Sequence, residues 1–166
     1  MSTDAIVILK ADHKQIRRLF RRFEQTGENA LKTKQSLADS ILEALTVHTY
    51  IENEVMYPET HTLLPDLGKD VLESYEEHHV ADLLCAELAA MTPAEERFDA
   101  KMTVLIEIVT HHMDEEEQAW FPKVRDGLGR NQLGDIGARM LELKKTAPRH
   151  PTQPSALKKA IDAVIA

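Results

Sequence analysis

The chain has 166 residues, with 20 basic against 28 acidic side chains and a formal net charge of −8. That length suits one domain able to bury a core without disulfides, and the single cysteine, Cys85, fits a reducing, cytoplasmic setting. The acidic balance argues against a nucleic-acid partner, while the aliphatic run at residues 5–9, bounded by Asp4 and Lys10, is far short of the ~20 residues of a membrane span and predicts no leader peptide.

Scarce glycine and aromatics, with abundant Ala, Leu, Glu and Lys, describe a helical protein. A 3.6-residue apolar period appears four times. The first stripe is Ile6, Leu9, His13, Ile16, Phe20 and Phe23, with Gly27 as the expected C-cap. The second is Ile41, Leu45, His48, Glu52 and Val55, expected to stop at Pro58. The third follows Pro65 and Gly68 and carries Val71, Tyr75, His78, Cys85 and Leu88. The fourth is expected to open on a capping box at Thr92 to Glu95 and to run Leu105, Val109, His112, Glu116 and Ala119 until Pro122 breaks or kinks it. Four such helices with short connections predict an all-α, antiparallel up-down four-helix bundle over residues 1–130. Residues 131–166 read as an extension: a short fifth helix at 132–146, a proline-containing linker at 146–154 and a terminal helix at 155–165.

The bundle repeats itself. His48, Glu52, Tyr57 and Pro58 match His112, Glu116, Phe121 and Pro122 at one constant interval, and Asp12-His13 matches Glu77-His78. Two helical hairpins related by a pseudo-twofold axis are the expected result. Residues four apart on a helix share a face, and here that face is the apolar stripe. His48-Glu52 and His112-Glu116 therefore point inward, and His13 and His78 add two imidazoles. An unneutralised buried carboxylate carries a penalty of several kcal/mol, so cations are expected among these six residues. Imidazole with carboxylate suits iron, manganese or zinc. Two histidines per ion, two bridging glutamates and a solvent bridge leave one position open on each of two metals. His79 competes with His78, and the register of Asp12-His13 favours His78. Glu54, Glu115 and Glu117 fall off the stripe and read as solvated, as do His61 and His150. His111 reads as a surface residue or one just outside the ligands. Tyr57, Phe121, Tyr50 and Trp120 read as packing, with Tyr50 or Tyr75 as alternative hydrogen-bond donors near the ions, and Cys85 reads as a buried small hydrophobe.

With its doubled His-x-x-x-Glu and matched prolines, the chain resembles the hemerythrin-like HHE cation-binding domain over residues 4–126. The resemblance implies two non-haem Fe ions, oxo- or hydroxo- and carboxylate-bridged, held by His13, His48, Glu52, His78, His112 and Glu116. Respiratory hemerythrins carry a second histidine four residues along the third helix, where this chain has Asp82, and end the fourth helix's ligands on an aspartate, where it has Glu116. That difference favours peroxide, nitric-oxide or sensing chemistry over oxygen carriage. The expectation is an O2-, peroxide- or NO-reactive centre in oxidative or nitrosative stress, in a monomer or weak homodimer. Alternatives are a catalase-like, peroxide-consuming enzyme and a bundle whose ions are structural.

Overall fold

The computed structural model describes residues 3–151. Every long element among them is a helix: α1 (Ala5–Glu24), α2 (Leu31–Ile51), α3 (Tyr57–Leu63), α4 (Gly68–Ala89), α5 (Phe98–Glu115), α6 (Phe121–Gly127) and α7 (Arg130–Thr146). Two π-helical turns, Glu52–Met56 and Glu116–Trp120, splice α2 to α3 and α5 to α6. Helices α1 and α2 pair, α4 and α5 pair, and the two hairpins close through α2 against α4 and α1 against α5. This is the expected bundle. No helix among the described residues is long and apolar enough to cross a membrane.

The first helix forms as its sequence dictates. Asp4 caps it by accepting the Val7 N–H at 3.1 Å, and every residue of its predicted stripe is buried. It ends on Gln25, whose N–H reaches the Arg21 carbonyl, while the next N–H, of Thr26, reaches that of Phe23. Gly27 is not the left-handed cap expected of it, since no described glycine has a positive φ.

Neither proline stops its helix. A proline inside an α-helix lacks an N–H and crowds the preceding turn, and the π turns relieve both problems. The Tyr57 N–H reaches back five residues to the Glu52 carbonyl, and the Phe121 N–H likewise reaches Glu116. Pro58 and Pro122 then sit in the first turns of α3 and α6, where the missing donor costs little. Each π turn also holds one extra residue and rotates the register. The buried position after Glu116 passes to Trp120, and Ala119, expected on the stripe, is exposed.

The fourth helix begins at Phe98, later than the capping box at Thr92 predicts. Glu95 does accept the Thr92 N–H at 2.6 Å, but that contact closes an isolated turn ahead of the helix. Helix α7 packs along α1 and buries Leu133, Ile136 and Met140. A Cβ on Gly137 would lie 1.7 Å from the Thr3 carbonyl oxygen, so only glycine admits this approach. The terminal helix expected at 155–165 lies outside the described residues.

Two apolar clusters divide the interior. One gathers Leu9, Ile51, Tyr57, Tyr75 and Phe121 with the buried face of α7. The other gathers Ile16, Ile41, Leu45, Leu88, Phe98 and Leu105. A polar layer drawn from α1, α2, α4 and α5 with their π turns lies between them.

Candidate metal centre

The structure brings His13, His48, Glu52, His78, His112 and Glu116 together, none more than 6% exposed. They form two groups that share a residue: His13, His48, Glu52 and Glu116, and Glu52, His78 and His112. Within each, the candidate ligand atoms lie within 4.8 Å of one another. Glu52 Oε2 is 3.2 Å from His48 Nε2 and 3.3 Å from His78 Nε2. Glu116 spans the halves as well, with Oε2 3.3 Å from His13 Nε2 and Oε1 3.6 Å from His112 Nε2. His78, not His79, joins the cluster; His79 is half-buried beside it.

Each imidazole is held from behind through Nδ1. His13 meets Glu117 at 2.8 Å, His48 meets Asp12 at a long 3.5 Å, His78 meets the Asn53 side-chain oxygen at 2.8 Å, and His112 meets Glu77 at 2.5 Å. These partners obey the pseudo-twofold: Asp12 corresponds to Glu77 and Asn53 to Glu117. An acceptor at Nδ1 places the ring proton there and leaves Nε2 as a lone pair aimed inward, the arrangement that orients a metal-binding histidine. Glu117 is held in turn by Arg17 Nη1 at 2.7 Å, and Asp12 by Lys144 Nζ at 2.5 Å. These basic groups act with the imidazoles. Burial alone would raise both carboxyls, but His48 and Lys144 hold Asp12 below the usual carboxylate range, and Arg17 and His13 do so for Glu117.

As protein groups alone, the inner atoms do not satisfy one another. His13 and His48 face each other Nε2 to Nε2 at 3.2 Å, and His78 and His112 at 3.0 Å. Both Glu52 oxygens and Glu116 Oε2 are buried without a hydrogen-bond partner. Burial and then the neighbouring Glu116 push Glu52 well above the carboxylate range. Burial would raise Glu116 too, yet His112, His13 and His48 hold it at about 2. Burial and the adjacent His112 keep His78 well below the ordinary imidazole value. A set of lone pairs and carboxylates converging in a dry core fits positive ions and little else.

Tyr57 and Glu117 depart from the sequence reading, while Tyr75 takes up the donor role offered for it. Tyr57 is not mere packing: its hydroxyl donates to Glu116 Oε1 at 2.9 Å and lies 3.1 Å from His78 Nε2. Tyr75 serves one step further out, donating to the Asn53 carbonyl at 3.2 Å. Glu117, expected in solvent, grips His13; Arg17, one helical turn beyond His13, was the available signal. Phe121 occupies Tyr57's place in the other half and stacks on His13 at 5.7 Å, so the halves differ by one phenol. Asp82 stands against Thr49 rather than in the cluster. Glu54, Glu115 and His111 are exposed as expected. Cys85 is buried, and burial, aided by Asp82, pushes its thiol up, consistent with an inert small hydrophobe.

Comparison with known proteins returns three matches. The family model described as Hemerythrin HHE cation binding domain matches residues 4–124. A curated protein named DNA nickase, from a Nostoc species, is 27% identical over 125 residues, covering 75% of this chain but only 34% of that protein. The chain thus spans about a third of that relative. A crystal structure of a hemerythrin HHE cation binding domain-containing protein from Mycobacterium kansasii superposes with a TM-score of 0.72 at 22% identity, over 86% of each chain. That likeness is one of fold.

Proposed function

The chain belongs to the hemerythrin HHE cation-binding domain family, and from that premise we propose that it is a non-haem di-iron protein whose buried centre takes a ligand the size of dioxygen, nitric oxide or peroxide. The observation that carries this reading is the convergence of four inward Nε2 atoms, each ring backed by an acceptor at Nδ1, on two buried glutamates with orphaned oxygens. His13 and His48 would hold one ion, His78 and His112 the other, and Glu52 and Glu116 would bridge them. Iron at such a site supplies one-electron redox change and a Lewis-acidic face to a small ligand.

The surrounding residues set what can enter. A void of about 20 Å³ touches His48, His78 and His112 and is otherwise lined mainly by apolar side chains, among them Leu45, Val109 and Met113. A space of that order holds about one water-sized molecule, which selects for diatomic ligands by size. On the other side of the ring atoms, Tyr57 keeps its proton, because burial, then Glu116 and Glu52, raise the phenol well above its ordinary value. Elemental analysis of aerobically purified protein with a visible spectrum tests the assignment. Two irons per chain with ligand-to-iron charge-transfer bands are expected; zinc, or one ion without visible absorption, overturns it.

Tyr57 favours a second reading, turnover of peroxide. Its phenol, which donates to Glu116 Oε1 at 2.9 Å, is a fixed hydrogen-bond donor at the edge of the centre that could orient a peroxide there. Steady oxygen release on repeated peroxide additions supports an enzyme, and a single stoichiometric reaction with bleaching supports a binding or sensing protein in oxidative or nitrosative stress.

A further inference from the structure

Two clefts open between α4 and α5, outside the His112 half of the centre. One, of about 200 Å³, is floored by His112 and Glu116; the other, of about 470 Å³, runs past His111. Glu73 and Glu77 line both. Where they meet, Glu77, His111 and Glu115 offer ligand atoms within 4.8 Å of one another, and His111 Nε2 lies 3.3 Å from Glu115 Oε1. Glu77 belongs to both worlds, since its Oε2 also holds His112 Nδ1. Below the trio, Glu116 lines the inner end of the smaller cleft at 2% exposed, with its Oε1 3.6 Å from His112 Nε2.

We propose that Glu77, His111 and Glu115 form a surface site for a divalent cation, from which the ion descends this cleft to Glu116 and His112 and so loads the buried centre. The proposal rests on the di-iron reading and adds its route of entry. Two carboxylates and an imidazole suit a ferrous or manganous ion. Because His111 and Glu115 are mostly exposed, water competes for the ion and exchange stays fast, as a transfer station requires. The larger cleft carries Glu73, Glu76, Glu77 and Glu107 with no lysine or arginine, and Lys123 in the smaller one is paired with Asp70 at 3.0 Å; such an excess of carboxylates raises the local cation concentration and the association rate. The opposite approach lacks such an excess: in the cleft over Asp12, between α1, α2 and α7, Asp12 and Glu43 are paired with Lys144 and Arg149.

The test follows ferrous-ion uptake by the metal-free protein under anaerobic conditions, reading initial rate and final content separately. The double variant His111→Ala/Glu115→Gln alters the trio outside the centre's own ligands and their hydrogen-bond partners. Glu142→Gln, an exposed change on α7, removes one charge elsewhere. Uptake about tenfold slower in the double variant, with unchanged final content and a near-normal control, is the expected result. Added salt should slow the wild type more than the double variant, because screening erases steering. An unchanged rate in the double variant, or equal slowing in the control, overturns the entry route. Final content reads the di-iron assignment itself, and a wild-type protein that takes up no iron overturns both.

Discussion

Each glutamate of the centre faces an imidazole from both halves, whereas each histidine serves one half. Glu52→Ala or Glu116→Ala should therefore strip both ions, while His13→Ala retains part of the iron, as elemental analysis of the purified variants would read. Two irons per chain in both glutamate variants would sink the bridging assignment. These six residues were readable in sequence because His-x-x-x-Glu recurs on an apolar stripe. Their Nδ1 partners were not, because Asn53 and Glu117 act across the bundle on histidines of other helices and follow no period of their own. Asp82 illustrates the opposite case, a carboxyl that forms no ion pair among the described residues. Burial pushes it up to about 7, with the Thr49 hydroxyl offsetting part of the shift. In the unfolded chain it ionises near ~4, so between there and about 7 the folded state binds the extra proton. Stability then falls as pH rises through that window and levels off above it. Asp82→Asn should remove this component and raise stability at pH ~8 by at most about 4 kcal/mol. Denaturant titrations of both proteins at pH ~5 and ~8 would show it; equal pH slopes would refute it.

At the scale of elements, the two π turns shape the centre's surroundings. Each starts at a glutamate of the cluster and ends just before the aromatic residue that packs over it. π turns of this kind recur at functional sites. Both prolines were visible in sequence: Pro122 correctly marked a break in the α-helix, while the stop expected at Pro58 is a π turn instead. Propensity counts a proline as a stop, whereas the packed bundle keeps the rod helical by absorbing one residue. That extra residue is why Trp120 rather than Ala119 reaches the core and why Tyr57 reaches Glu116. The fit of α7 against the amino-terminal segment is equally invisible to periodicity, since it depends on the bare Cα of Gly137 beneath the Thr3 carbonyl. Gly137→Ala drives a methyl into that backbone. Overpacking of this kind costs about 1–3 kcal/mol, and should lower the melting temperature by several degrees while leaving iron content intact. An unaltered melting curve would mean that α7 is free to shift outward.

Across the whole molecule, the polar layer is sandwiched between two apolar clusters, each built from several helices. The apolar surface buried on either side of the centre should therefore let the bundle collapse without bound ions. Small metal domains behave differently, because there metal binding is the folding free energy. What the ions relieve here is local: two buried carboxylates and facing Nε2 lone pairs at 3.0–3.2 Å. Chelated protein should accordingly keep its helical circular dichroism and unfold cooperatively at a lower temperature. Restoring metal should stabilise it as a native-state ligand does, by about 4 kcal/mol at a thousandfold excess over Kd. The thermal shift should grow with free metal concentration. Loss of helix on chelation at ambient temperature would instead favour the alternative of a bundle whose ions are structural.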